Sequence, residues 1–229
     1  MLEKALLDIA KKDLEASKYL FDGGFYPHAV FYLQQSVEKA LKSFLLKYGM
    51  IKKNTLKANM GHNLKRGIVI FFKQTLELGK KRQNVDEKIK RRAEKNVEKL
   101  IDSINSSKAN VEETIRMING IENMFDLIST EEPGAKELIN FLSPYFPIIY
   151  SIAALFGLSL LIPQNCAENT RYPSNDGKQN PLKIYDEKNP LIRSYGDLAR
   201  IMEKAFLRYE DMSKKFPEQT INCDEGNCL

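Results

Sequence analysis

An all-α fold follows from three features of the sequence. Apolar residues recur at steps of three and four over several long segments, and no segment alternates apolar and polar residues as a half-buried strand would. Gly-Gly and Pro fall between the periodic stretches and punctuate them. The first helix is predicted over Leu2 to Phe21, with Leu6, Ile9, Leu14 and Leu20 facing the core. Asp22-Gly-Gly-Phe-Tyr-Pro stops it, because paired glycines end helices and Pro27 suits the first turn of the next. The second helix carries Val30, Leu33, Val37, Ala40 or Leu41, and Phe44 in one apolar stripe, antiparallel to the first because the turn is short. "KYGMIKKNTLKANMGHN" reads as loop, with a third helix beginning near His62. Val85 to Ile128 reads as one long helix or as two interrupted at "SINSSKAN", and "STEEPGAKE" as a turn leading into another helix. "PQNCAENTRYPSNDGKQNPLKIYDEKNP", rich in Pro, Asn and Asp, is an extended loop. The closing helix, about Ser194 to Phe216, sets Leu198, Ile201, Met202, Ala205 and Tyr209 on one side, and no internal repeat is evident.

With 229 residues, 43% of them hydrophobic, the chain can bury a proper core. The formal net charge is +5, from 35 basic and 30 acidic residues. The excess is local. Between Lys80 and Lys99 stand nine basic and four acidic residues, so this stretch alone is net +5 and the rest of the chain is neutral. A stripe containing Lys81, Arg82, Arg91, Arg92 and Lys95 could meet nucleic acid or an acidic protein. The same Lys/Glu-rich pattern also suits a solvated helix laced with i,i+4 pairs.

From Leu138 to Ile162 there is no charged residue, and 25 such residues are enough to span a bilayer. Asn140, Ser143, Tyr145, the prolines at 144 and 147, and flanks without a positive bias argue instead for a helix ringed by others inside a bundle. A membrane partner is accordingly not expected. The N-terminus opens directly on a charged amphipathic helix rather than a secretory signal, which gives a cytoplasmic expectation. Cys166, Cys223 and Cys228 show no framework spacing. The last two form C-x4-C in a polar tail with no His near it, so a zinc site is not expected and a tail disulfide or free thiols stay open.

Other chemistry can be searched for by spacing. A di-metal carboxylate site in a bundle needs Glu-x-x-His pairs, and neither His28 nor His62 lies three residues after a Glu. There is no Gly-rich phosphate loop, and no cofactor is implied. His62 in "GHN" suits a helix start. Arg171-Tyr172-Pro173 could grip a phosphate and stack a base, or could pin its loop to the bundle by pairing with Glu168 or a carbonyl. Polar residues also crowd the second helix, where Gln34 and Gln35 sit side by side ahead of Glu38, Lys39 and Lys42.

"DLEASKYLFDGGFYPHAVFYLQQSVEKALKSFLL", then "GHNL", then "ENTRYP", then the closing amphipathic helix together resemble the HEPN family (higher eukaryotes and prokaryotes nucleotide-binding). The matching positions include Asp13, Leu14, Gly24, Tyr26, Gln34, Gln35, Glu38, Lys39 and Lys42, then His62 and Leu64, then Arg171, Tyr172 and Pro173. The resemblance implies an up-and-down helical bundle formed by residues 1–66 and 136–216, with 67–135 as a helical insertion and 217–229 as a flexible tail. It implies a homodimer in which Gln34, Gln35, Glu38, Lys39 and Lys42 lie at a wet helix–helix interface. It further implies a minimal nucleotidyltransferase partner, nucleotide or RNA as ligand, and a toxin–antitoxin-like or stress-related role. Arg171, Tyr172, His62 and Arg66 are the ligand-binding candidates. Some members of the family are metal-independent ribonucleases that use Arg followed four to six residues later by His. Here the first arginine, Arg66, comes after both histidines, so no such motif exists. The expectation is a non-catalytic binding protein. The alternatives are a ribonuclease with a non-standard site, built for example on His62 with Arg66 at i,i+4, and a membrane-associated interaction protein.

Overall fold

The computed structural model describes residues 1–80, 87–106, 110–128, 146–162, 170 and 180–215. Within them every regular element is helical: α1 (Leu2–Asp22), α2 (Tyr26–Lys47), α3 (Leu56–Asn59), α4 (Leu64–Lys80), α5 (Glu87–Ser106), α6 (Val111–Ile128), α7 (Phe146–Leu161), α8 (Pro181–Ile184), α9 (Pro190–Arg193) and α10 (Tyr195–Lys215). The all-α bundle expected from the sequence is what the chain forms.

Gly23 and Gly24 end α1, and Gly24 adopts φ 77°, a left-handed conformation that a side chain would strain. Pro27 then sits in the first turn of α2. The reversal lays α1 antiparallel along α2, and the contact is built from small residues. Ser43 Oγ donates to the Glu3 carbonyl at 2.7 Å, Ser36 Oγ to the Ala10 carbonyl at 2.7 Å, and Ser17 Oγ to the Ala29 carbonyl at 2.6 Å. These three rungs recur every seven residues along each helix, at the coiled-coil period. Side chains this short let the two backbones approach closely enough for a hydroxyl to reach across.

Two of the rungs continue into α10. The Tyr195 hydroxyl lies 2.6 Å from Ser17 Oγ and the Tyr209 hydroxyl 3.1 Å from Ser43 Oγ. Since each serine already donates to a carbonyl, the tyrosines are the donors here. The Tyr195 ring also stacks on Phe21, with centroids 3.9 Å apart. Around this three-helix centre, α7 packs against α10, α6, α2 and α4, and α5 lies along α4.

The core stripes of α2 and α10 are as expected: Val30, Leu33, Val37, Ala40, Leu41 and Phe44 are buried, and so are Leu198, Ile201, Met202, Ala205 and Tyr209. That of α1 needs correction. Leu14 is buried and Leu20 packs against the core as expected, but the inward face is Leu7, Ala10, Leu14 and Ser17, and Ile9 lies off it, 47% exposed; Ala10 and Ser17 stand where the two backbones approach most closely. The 67–135 stretch is helical where described, and its Ile68, Phe71, Ile104, Ile115 and Ile118 join the same core. The part of Leu138–Ile162 that is described forms α7, whose Tyr150, Ala154, Leu155 and Leu158 are buried among the other helices. No helix among the described residues is long and apolar enough to cross a membrane.

Burial pushes the Tyr195 and Tyr209 phenols up to about 12. It raises Tyr48 as well. Between the ordinary value of 10.0 and about 12 the unfolded chain therefore sheds protons that the native state keeps. This contribution to stability is complete below pH 10 and is lost as pH rises through 12. Thermal melts from pH 9 to 12 are expected to show a falling midpoint. The Tyr195→Phe/Tyr209→Phe double variant should show a shallower fall, which separates the phenols from lysines that neutralise in the same range.

Candidate ligand-binding site

α2 does not carry one apolar stripe with a wet polar face. It is the central helix, with α1 on one side and α4 and α7 on others, and polar residues lie inside the bundle with the apolar ones. Gln34 is fully buried, and Gln35 donates to its carbonyl oxygen at 3.1 Å. Lys39, at the rim, donates to Gln35 Oε1 at 3.0 Å and to Asp13 Oδ2 at 2.6 Å. Gln34, Gln35 and Lys39 thus form a polar row running inward from the α1–α2 rim. The side chains assigned to a subunit interface from the sequence are in large part covered by their own chain.

Glu38, one turn further along α2, is the centre of the candidate site. Its side chain is 3% exposed, and its carboxylate holds two cationic or potentially cationic groups. Lys42 Nζ, one turn along, lies 2.7 Å from Oε1. His62 Nδ1 lies 2.9 Å from Oε1 and 3.2 Å from Oε2. A carboxylate left uncompensated in a protein interior is very costly, so this pair of donors is what allows Glu38 to sit there.

His62 reaches Glu38 from the turn before α4. Gly61, at φ 57°, and Asn63 set that turn, and Asn63 Oδ1 caps the helix by accepting the Arg66 backbone N–H at 2.9 Å. The imidazole itself is 81% exposed. Facing a carboxylate, Nδ1 is the protonated nitrogen, which leaves Nε2 as a solvent-accessible acceptor in the neutral ring. An imidazole with its tautomer fixed from behind can accept a proton from a hydroxyl, or donate to a phosphate oxygen once charged.

Arg66 does not join His62 in a shared polar contact. His62 lies before the helix, not on it, so the i,i+4 relation expected for the two does not hold. Arg66 instead lines a groove of about 510 Å³ between α4, α5 and the loop after α2, together with Lys52 and Lys73. The sequence reading passed over Lys52 and Lys73. Arg66, Ile70, Lys73, Glu77 and Lys80 recur at steps of four and three, one face of α4, and that spacing was the available signal. Of the basic stripe, Arg91, Arg92 and Lys95 are exposed on α5. Lys81, Arg82, Arg171 and Tyr172, and all three cysteines, lie outside the described residues. No group of three or more His, Cys, Asp or Glu that could hold a metal ion occurs among the described residues.

The family model for the HEPN domain matches residues 3–115. Over these residues the chain is similar to the HEPN domain. The HEPN match takes in α1 to α5 and the first residues of α6, just under half of the chain, and includes Glu38, Lys42, His62 and Arg66. HEPN domains are associated with nucleotide and RNA interaction. No curated protein and no solved structure matches the chain.

Proposed function

We propose that this HEPN-like protein binds nucleotide or RNA in the cytoplasm, with His62 touching the phosphate backbone, as a non-catalytic member of the family. The observation that supports the reading is the exposed imidazole held through Nδ1 by the buried Glu38 carboxylate. The bland account is that His62 merely staples the turn to α2. A staple would gain from burying the ring, yet four fifths of it is open to solvent. The proposal includes the pairing of two chains and a nucleotidyltransferase partner. Leu2 and Ile9, exposed seven residues apart on the outer face of α1, are compatible with such a contact.

The same fixed tautomer favours a second reading, metal-independent RNA cleavage with Nε2 as the base for a ribose 2′-hydroxyl. One experiment addresses both. Fluorescence anisotropy with a labelled single-stranded RNA is expected to show binding that weakens with salt. His62→Ala should weaken it by about tenfold, the value of one charge-assisted hydrogen bond. Unchanged affinity in His62→Ala would remove His62 from the binding surface. Gel analysis of the same RNA after incubation in EDTA decides the second reading: cleavage by the wild type and none by His62→Ala would make the protein a ribonuclease.

A further inference from the structure

The groove between α4 and α5 carries an inference of its own. Its α4 wall is the face bearing Arg66, Ile70, Lys73, Glu77 and Lys80, and its α5 wall includes Glu94, Val97, Glu98 and Ile101. The charges divide along it. Lys80 sits 3.3 Å from Glu77 and 2.7 Å from Glu94, so the carboxylates at that end are already engaged. Lys52, Arg66 and Lys73 are exposed and make no ion pair among the described residues. Against these three cations only Glu98, of the lining acids, lacks an ion pair among the described residues. The space between the two ends is walled by aliphatic side chains such as Ile70, Val97 and Ile101. A volume of about 510 Å³ falls within the roughly 300–1,000 Å³ usual for small-molecule sites.

We propose that this groove is a second ligand site, which takes a diphosphate carried on a compact body with an apolar face, its phosphates on Lys52, Arg66 and Lys73 and that face against the aliphatic wall. Charge selects the anion, since three cations with one uncommitted carboxylate near them leave a surplus that a dianionic or trianionic group neutralises. The aliphatic wall selects the body, because apolar surface removed from water adds to affinity in proportion to its area. The inference does not depend on His62, which is not among the residues lining the groove.

Isothermal titration calorimetry on the full chain tests it with ADP, inorganic pyrophosphate and adenosine as probes. ADP is expected to bind most tightly and pyrophosphate more weakly, with adenosine at least about tenfold below ADP. Lys52→Glu/Lys73→Glu, both at exposed positions, should abolish ADP and pyrophosphate binding while leaving the melting temperature unchanged. Ile101→Ala should weaken ADP and spare pyrophosphate. His62→Ala is read by the RNA anisotropy and Lys52→Glu/Lys73→Glu by these titrations, so that failure of the RNA-binding reading and failure of this one are told apart. No heat with ADP or pyrophosphate at millimolar concentration overturns the proposal, as does ADP affinity that survives the double charge reversal. Equal affinity for ADP and adenosine does the same.

Discussion

Glu38→Ala is expected to destabilise the protein by about 2–4 kcal/mol, the range for leaving one member of a buried polar network without its partner. Glu38 is 3% exposed and Lys42, on the same carboxylate, 13% exposed, so Lys42 would be left in a poorly solvated place with its counter-charge gone. The turn carrying His62 would lose this side-chain tie to α2 at the same moment. Glu38→Gln keeps the shape and an acceptor but not the charge, and a smaller loss of about 1–2 kcal/mol is expected. Urea denaturation of the three proteins measures this. A loss well under 1 kcal/mol in Glu38→Ala would mean that Lys42 reaches water unaided and that Glu38 adds little to the fold.

Gly157→Val is expected to cost a similar amount for a wholly different reason. α6 and α7 touch at Gly157, where an added Cβ would stand 2.7 Å from Ile118 Cδ1 and 2.9 Å from Thr114 Cγ2. Ile118 is fully buried and cannot simply swing aside. Overpacking of this kind costs typically about 1–3 kcal/mol, and a branched residue at so tight a site should reach about 2–4 kcal/mol. Helix propensity works in the other direction and is worth only about 1 kcal/mol for replacing Gly. Gly120, on α6 itself, is the control: nothing lies within 4 Å of a Cβ there, so Gly120→Ala should stabilise by a few tenths to about 1 kcal/mol. If Gly157→Val proves neutral, the α6–α7 contact is looser than these distances say. If it is costly, Ile118→Ala should rescue part of the loss, since the two side chains compete for one space.

Much of the fold was legible in the sequence because its helices follow the 3.6-residue period and are separated by strong breakers. α1, α2 and α10 begin and end within two residues of where Gly-Gly, Pro27 and the apolar stripes put them. Periodicity could not show which helix is central. α2 is covered on several sides, so its polar residues are internal partners, whereas periodicity alone reads them as a solvated face. The α1 stripe was misjudged because hydrophobicity ranks Ile9 above Ala10 and Ser17, while close helix packing ranks them in reverse. The site was half legible. His62 and Glu38 were both singled out, but 24 residues separate them, and nothing local reveals that one fixes the other. The cationic mouth of the groove has the same difficulty, because Lys52 comes from a loop and Lys73 from a helix.

The seven-residue spacing of the Ser43, Ser36 and Ser17 rungs makes the alignment of α1 on α2 a discrete choice. A shift of one helix past the other by a single turn would strand all three hydroxyls at once against the wrong stretch of backbone. A shift of seven residues would restore at most two, and would carry Ser17 and Ser43 away from the α10 tyrosines that complete them. The turn joining the helices is only Gly23 to Phe25, so the hairpin can close with little loss of chain entropy before the rest of the chain is in place. Such a unit behaves as a template, presenting α10 with two prepared hydroxyls at a fixed separation and so setting where the last helix of the chain comes to rest.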